Sequence, residues 1–140
     1  MKTKIVTSLL LLFSVIVCMN AQQAKPAIVG TWKLVSFKYG DMPSQLVPDS
    51  LQKVKIITRN SFTWVEYQTK SKNITSSGGG TYVLKGNSYI ENLVFGLGMG
   101  DFIGKNQTFT VEIKNGKMTQ TGRLSNDYKI QEVWRKVKSL

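Results

Sequence analysis

The 140-residue sequence has no histidine and a single cysteine, Cys18. These two scarcities remove the common zinc, copper and thiol sites, along with every Ser-His triad. Acids are also sparse, four Asp and four Glu spread thinly along the chain, and no tuned acid/base pair stands out among them. Arginine is rarer still: of 19 Lys and Arg, only Arg59, Arg123 and Arg135 are arginines. Nucleic-acid readers use arginine forks and clustered charge, whereas these lysines are scattered singly. They read as a solvated outer face with weak attraction to anionic envelope surfaces, and no nucleic-acid partner is expected. The glycine-rich "GLGMGDFIG" fits neither the dinucleotide nor the Walker spacing. It reads as a rim loop without a helix, and no cofactor or metal is expected.

The N-terminus carries a basic head, Lys2 and Lys4, followed by the apolar run "IVTSLLLLFSVIVCM". The run is shorter than the ~20 residues of a membrane helix, so it reads as an export signal, residues 1–21, cleaved after Ala21. Lipidation at Cys18 is less favoured, because Val17 stands where a small residue belongs. Cleavage removes the only cysteine and leaves 119 residues, enough for one domain held by packing alone. Residues 22–29 read as a linker and 30–140 as the domain, periplasmic or secreted, with no transmembrane span after the signal is removed.

After residue 29 the chain alternates short Val, Ile, Thr and aromatic runs with Gly and Asn, and shows no 3.6-residue apolar period. It is therefore all-β, with eight strands at 30–39, 53–59, 62–69, 80–84, 88–95, 107–113, 117–123 and 128–137. Tight turns at "NS", "KGN" and "NG" alternate with four longer connections. In an up-and-down antiparallel meander, alternate connections fall at opposite ends, which gives a barrel with a closed base and a loop-rimmed mouth. The first strand begins at the base and the eighth ends there, so Trp32 and Arg135 are expected as neighbours, with the guanidinium over the indole.

"GTWKLVSF", with Gly30 and Trp32, resembles the first strand of the calycins, the lipocalins and fatty-acid-binding proteins, where a late Arg, here Arg135, covers the Trp. "SNDY" at 125–128 is similar to the Thr-Asp-Tyr block of lipocalins, with Asn126 in place of Thr. Over residues 28–137 the chain resembles the small exported lipocalin-like proteins of Gram-negative bacteria. The resemblance implies a ligand-binding barrel. Many fatty-acid-binding proteins hold a carboxylate with Arg-x-Tyr on the last strand, but "EVW" stands here, an acid in place of the base. That disfavours an anionic fatty acid and favours a neutral or cationic ligand, or none.

Period-two alternation puts Tyr128, Ile130, Glu132 and Trp134 on the inner face of the last strand, and Tyr89, Glu91, Leu93 and Phe95 on that of the fifth. With Trp64 and Gln120, the candidate lumen set is Trp64, Tyr89, Glu91, Phe95, Gln120, Tyr128, Glu132 and Trp134. Buried carboxylates must be paired, hydrogen-bonded or protonated. Glu91 and Glu132 are thus either handles for a ligand or partners of lysines, and a register slip of one residue would turn either outward. The aromatics read as core filler before ligand contacts, since eight strands leave an interior that side chains alone can fill.

The expected function is non-catalytic binding of a small, largely apolar molecule. The alternative is an envelope interaction or inhibitor module that binds through rim residues such as Leu97, Met99 and Phe102. An isomerase or cyclase using a barrel carboxylate is the third and least favoured reading. A void of at least ~300 Å³ opening at the loop end would favour the first over the second.

Overall fold

The computed structural model describes residues 26–138; the expected export signal, Cys18 and the expected cleavage after Ala21 lie outside them. Nine strands form one antiparallel sheet: β1 (Gly30–Tyr39), β2 (Gln45–Leu46), β3 (Leu51–Ile57), β4 (Ser61–Gln68), β5 (Ile74–Lys85), β6 (Ser88–Phe95), β7 (Asn106–Lys114), β8 (Lys117–Arg123) and β9 (Lys129–Val137). Each long strand pairs with the next, and β9 returns to β1. Closure leaves no long unpaired edge. The result is the eight-stranded up-and-down barrel expected, with β2 as a two-residue addition beside the upper half of β1.

Two connections differ from the sequence expectation. β5 starts at Ile74, not 80, because Ser76–Gly79 continue the ladder against β4. The glycine-rich loop contains one 3₁₀ turn, Gly100–Phe102, where no helix was expected. Met99 and Phe102 turn down onto the core from it.

Side chains fill the closed half. Ile28, Trp32, Ile57, Tyr89 and Met118 are all at most 1% exposed. Ile28 and Val29, expected in the linker, belong to this plug: a turn at Pro26 brings the chain under the barrel, and the Trp32 indole donates to the Ile28 carbonyl at 2.8 Å. Burial of large apolar side chains such as these is the dominant favourable contribution to folding.

The cation over Trp32 is Lys136, not Arg135. β9 alternates Glu132 and Trp134 inward with Val133 and Arg135 outward, so Arg135 is exposed on the outer wall. Lys136, directly opposite Trp32 in the register, crosses the base with Nζ 5.1 Å from the indole centroid. Gly30, at φ 150°, leaves room for that crossing: a Cβ there would lie 2.6 Å from the Lys136 Cε.

Candidate functional site

The open half of the barrel is polar where the closed half is not, and β3 is the reason. "LQKVKII" alternates, but the set that points inward is Lys53, Lys55 and Ile57, opposite Glu66, Trp64 and Phe62 of β4. Ile56 faces out and is 40% exposed. Lys55, only 2% exposed, donates from Nζ to Glu91 Oε1 at 2.7 Å and to Gln120 Oε1 at 3.0 Å. One layer nearer the mouth, Lys53 Nζ donates to Glu132 Oε1 at 2.9 Å, and the Tyr39 hydroxyl donates to the same oxygen at 2.6 Å. The ammonium groups also lie over aromatic faces, Lys53 at 4.5 Å from Trp64 and Lys55 at 5.3 Å from Trp134.

These contacts fix the protonation states. Burial acts to raise the Glu132 pKa, but the Lys53 and Lys55 charges and the Tyr39 hydroxyl outweigh it and hold the carboxyl below its ordinary 4.5. Burial, then the Glu132 carboxylate, pushes the Tyr39 hydroxyl far above its ordinary 10.0, so Tyr39 remains a donor. Burial and then Glu91 do the same to Tyr89. The site thus holds two ion pairs, Lys53–Glu132 and Lys55–Glu91, and a neutral Tyr39 phenol.

Above the pairs lies a cavity of about 260 Å³, walled by Trp64, Trp134, Phe109 and Leu93 and reaching Met99, Leu124 and Tyr128 at the loop end. The volume falls just under the ~300 Å³ expected of a general small-molecule pocket. Among the described residues, two buried side-chain polar atoms have no hydrogen-bond partner, Trp134 Nε1 beside the cavity and the Tyr89 hydroxyl below it. Among the described residues, the Glu66 carboxylate, at the mouth, accepts only from the Thr75 hydroxyl, at 3.0 Å, and forms no ion pair. Around the cavity three carboxylates, Glu66, Glu91 and Glu132, stand against the two lysines.

Of the residues expected in the lumen, Trp64, Glu91, Gln120, Glu132 and Trp134 line this cavity together. Tyr89 sits below it, in the plug, with no exposure. Tyr128 precedes β9 and lines the same cavity at its mouth, where it is 44% exposed. Phe95 is outside the barrel. The β5–β6 register slips between Gly79/Phe95 and Gly80/Leu93, and the extra residue, Val94, rotates Phe95 to the outer wall, 53% exposed. Gly79 and Gly80 permit this: a Cβ at Gly79 would lie 2.3 Å from the Phe95 ring, and one at Gly80 only 1.9 Å from the Asn92 carbonyl oxygen. Lys53, Lys55, Tyr39 and Glu66 were not anticipated; alternation around Lys53 and Lys55 was the signal available.

Among solved structures, an uncharacterized protein from Bacteroides eggerthii is 23% identical, with a TM-score of 0.55, covering 78% of this chain and 98% of that one. A redesigned β-barrel is 12% identical, with a TM-score of 0.52, covering 79% and 91%. A variant of the fluorescent protein UnaG is 15% identical over 80% and 97%, at a TM-score of 0.40. No curated protein matches significantly. The first two likenesses carry the barrel fold alone. Residues 27–140 match the family described as a domain of unknown function, DUF4488, and the chain belongs to that family.

Proposed function

We propose that this barrel is an exported, non-catalytic binding protein that holds a compact, largely apolar molecule carrying a hydrogen-bond acceptor. The observation that supports this most is the aromatic cup itself, beside which the buried Trp134 indole N–H has no partner among the described residues. A buried donor left unpaired costs about 1–3 kcal/mol, which an acceptor on a ligand would recover. The cavity volume favours a molecule below drug size. The excess of carboxylate over ammonium groups disfavours an anionic head, in line with the acid that replaces Arg-x-Tyr. Export is supported by the basic head and apolar run of the leader.

Native mass spectrometry of protein purified from its own host tests this. A retained small molecule, lost or weakened in Trp134→Phe, is the expected result. A stoichiometrically bare protein that also takes up no neutral or cationic fragment would sink the reading. A second reading, binding through the rim, has its own support: Leu97 and Ile103 are exposed there, 53% and 43%, beside a cavity of modest size. Capture of a protein partner abolished by Leu97→Ser with Ile103→Ser, but indifferent to Trp134→Phe, would favour it.

A further inference from the structure

Cations scattered singly in the sequence are gathered by the register. Lys33 on β1 stands opposite Arg135 on β9, Arg135 opposite Lys117 on β8, and Lys117 opposite Lys114 on β7. Each flanks an inward residue, Trp32, Trp134, Met118 or Ile113, so all four lie on the outer wall near the closed base. Arg135, Lys117 and Lys114 are exposed and Lys33 half-buried. Three interstrand steps of ~4.8 Å make the row about 14 Å long.

Like charges placed directly opposite on neighbouring strands repel, and ordinary sheets intersperse opposite signs there. None of the four forms an ion pair among the described residues, whereas Lys129 and Arg123, near the mouth, pair with Asp41 and Asp127. The nearest acid in the register, Glu112, lies one row up, opposite Thr119. The base wall therefore carries an uncompensated line of charge.

We infer that the Lys33–Arg135–Lys117–Lys114 row is a docking face for anionic phospholipid headgroups. A row that follows the convex wall spreads its charges apart and cannot converge on one small anion, but its long side chains can reach separate phosphates of a surface. Three of the four are lysines, which attract phosphate as point charges without demanding bidentate geometry. The choice of a lipid surface over a nucleic acid rests on the export reading, which brings the chain to a membrane. Docking by the base would leave the mouth of the cup free.

Co-sedimentation of the mature protein with vesicles tests this, comparing pure phosphatidylcholine with equimolar phosphatidylglycerol and phosphatidylcholine. Each cation near such a surface is worth about fivefold in partitioning. Replacing all four by Gln should lower binding to the anionic vesicles by well over tenfold, and so should raising salt from ~0.1 to ~0.5 M. A matched variant with Lys38, Lys70, Lys72 and Lys105 replaced by Gln removes the same net charge elsewhere and should retain most of the binding. Urea unfolding of the row variant should show a fold at least as stable as the parent, since repulsion has been removed. No preference for anionic vesicles, or equal losses in the two variants, would overturn the inference. Tighter row-dependent binding to a DNA duplex would overturn the lipid assignment.

Discussion

Lys136 lies across Trp32 at the closed end of the barrel: its ammonium is 5.1 Å from the indole centroid and donates to the Ala27 carbonyl at 2.9 Å. The two side chains share one contact, so their losses should not add. Trp32→Ala should cost about 3–5 kcal/mol, as a fully buried aromatic. Lys136→Met should cost about 1–2 kcal/mol, and the double variant should fall short of the sum by at least ~0.5 kcal/mol in urea unfolding. Arg135→Gln, on the outer wall, should stay within about 0.5 kcal/mol of the parent. A large Arg135 effect coupled to Trp32 would restore the guanidinium to the base.

The buried Lys55–Glu91 pair gives a second test. Lys55→Met strands the Glu91 carboxylate and should cost about 3–5 kcal/mol. Adding Glu91→Gln supplies a neutral amide that can bond to Gln120, and should recover at least ~2 kcal/mol of that loss. If the double variant is no more stable than Lys55→Met alone, the two residues are not an isolated pair.

Glu132 titrates below its ordinary 4.5 because Lys53, Lys55 and Tyr39 outweigh the effect of burial. A depressed carboxyl contributes stability that is fully present above its unfolded value and lost as pH falls through its folded value. The stability gap between the parent and Glu132→Gln, measured by urea unfolding, should therefore be constant near neutrality and narrow below about pH 4.5. A gap that persists unchanged into acid would show that the charge on Glu132 contributes nothing.

Tyr39 and Tyr89 give the opposite limb. Burial raises both hydroxyls above the ordinary 10.0, so their contribution is complete below that pH and is lost as pH rises beyond it. In an ultraviolet titration of the five tyrosines, these two should ionise only together with loss of the barrel's circular dichroism. Ionisation while the fold persists would contradict their burial.

The barrel was legible because turn chemistry and loop lengths are local signals, and closure follows from counting them. The inward faces of β6 and β9 were legible from alternation as far as Leu93 and Trp134. Alternation also pointed to Lys136: it lies two residues beyond Trp134, on the same face, while the family likeness drew attention to Arg135. The inner face of β3 was not legible, for a physical reason. A period of two separates faces without saying which is inside, and here Lys53 and Lys55 enter a polar cup while Val54, buried, and Ile56, exposed, share the other face. Phe95 was lost to the bulge at Val94, a tertiary accommodation whose trace in sequence is the Gly78–Gly80 run lying across from it.

The central claim is that the cup between Trp64 and Trp134 takes a small ligand. The most direct measurement is the proton–nitrogen NMR spectrum of the three indole N–H groups, followed while a library of neutral and cationic fragments with hydrogen-bond acceptors is added. Trp32, whose indole already donates to the Ile28 carbonyl beneath the barrel, serves as the internal reference. Fragments that move the Trp134 signal, and with it Trp64, while Trp32 stays still, are the expected result, and the effect on the lumen should disappear in Trp134→Phe. Fragments that leave Trp134 and Trp64 unmoved, or that shift only residues of the rim loops, would contradict the claim.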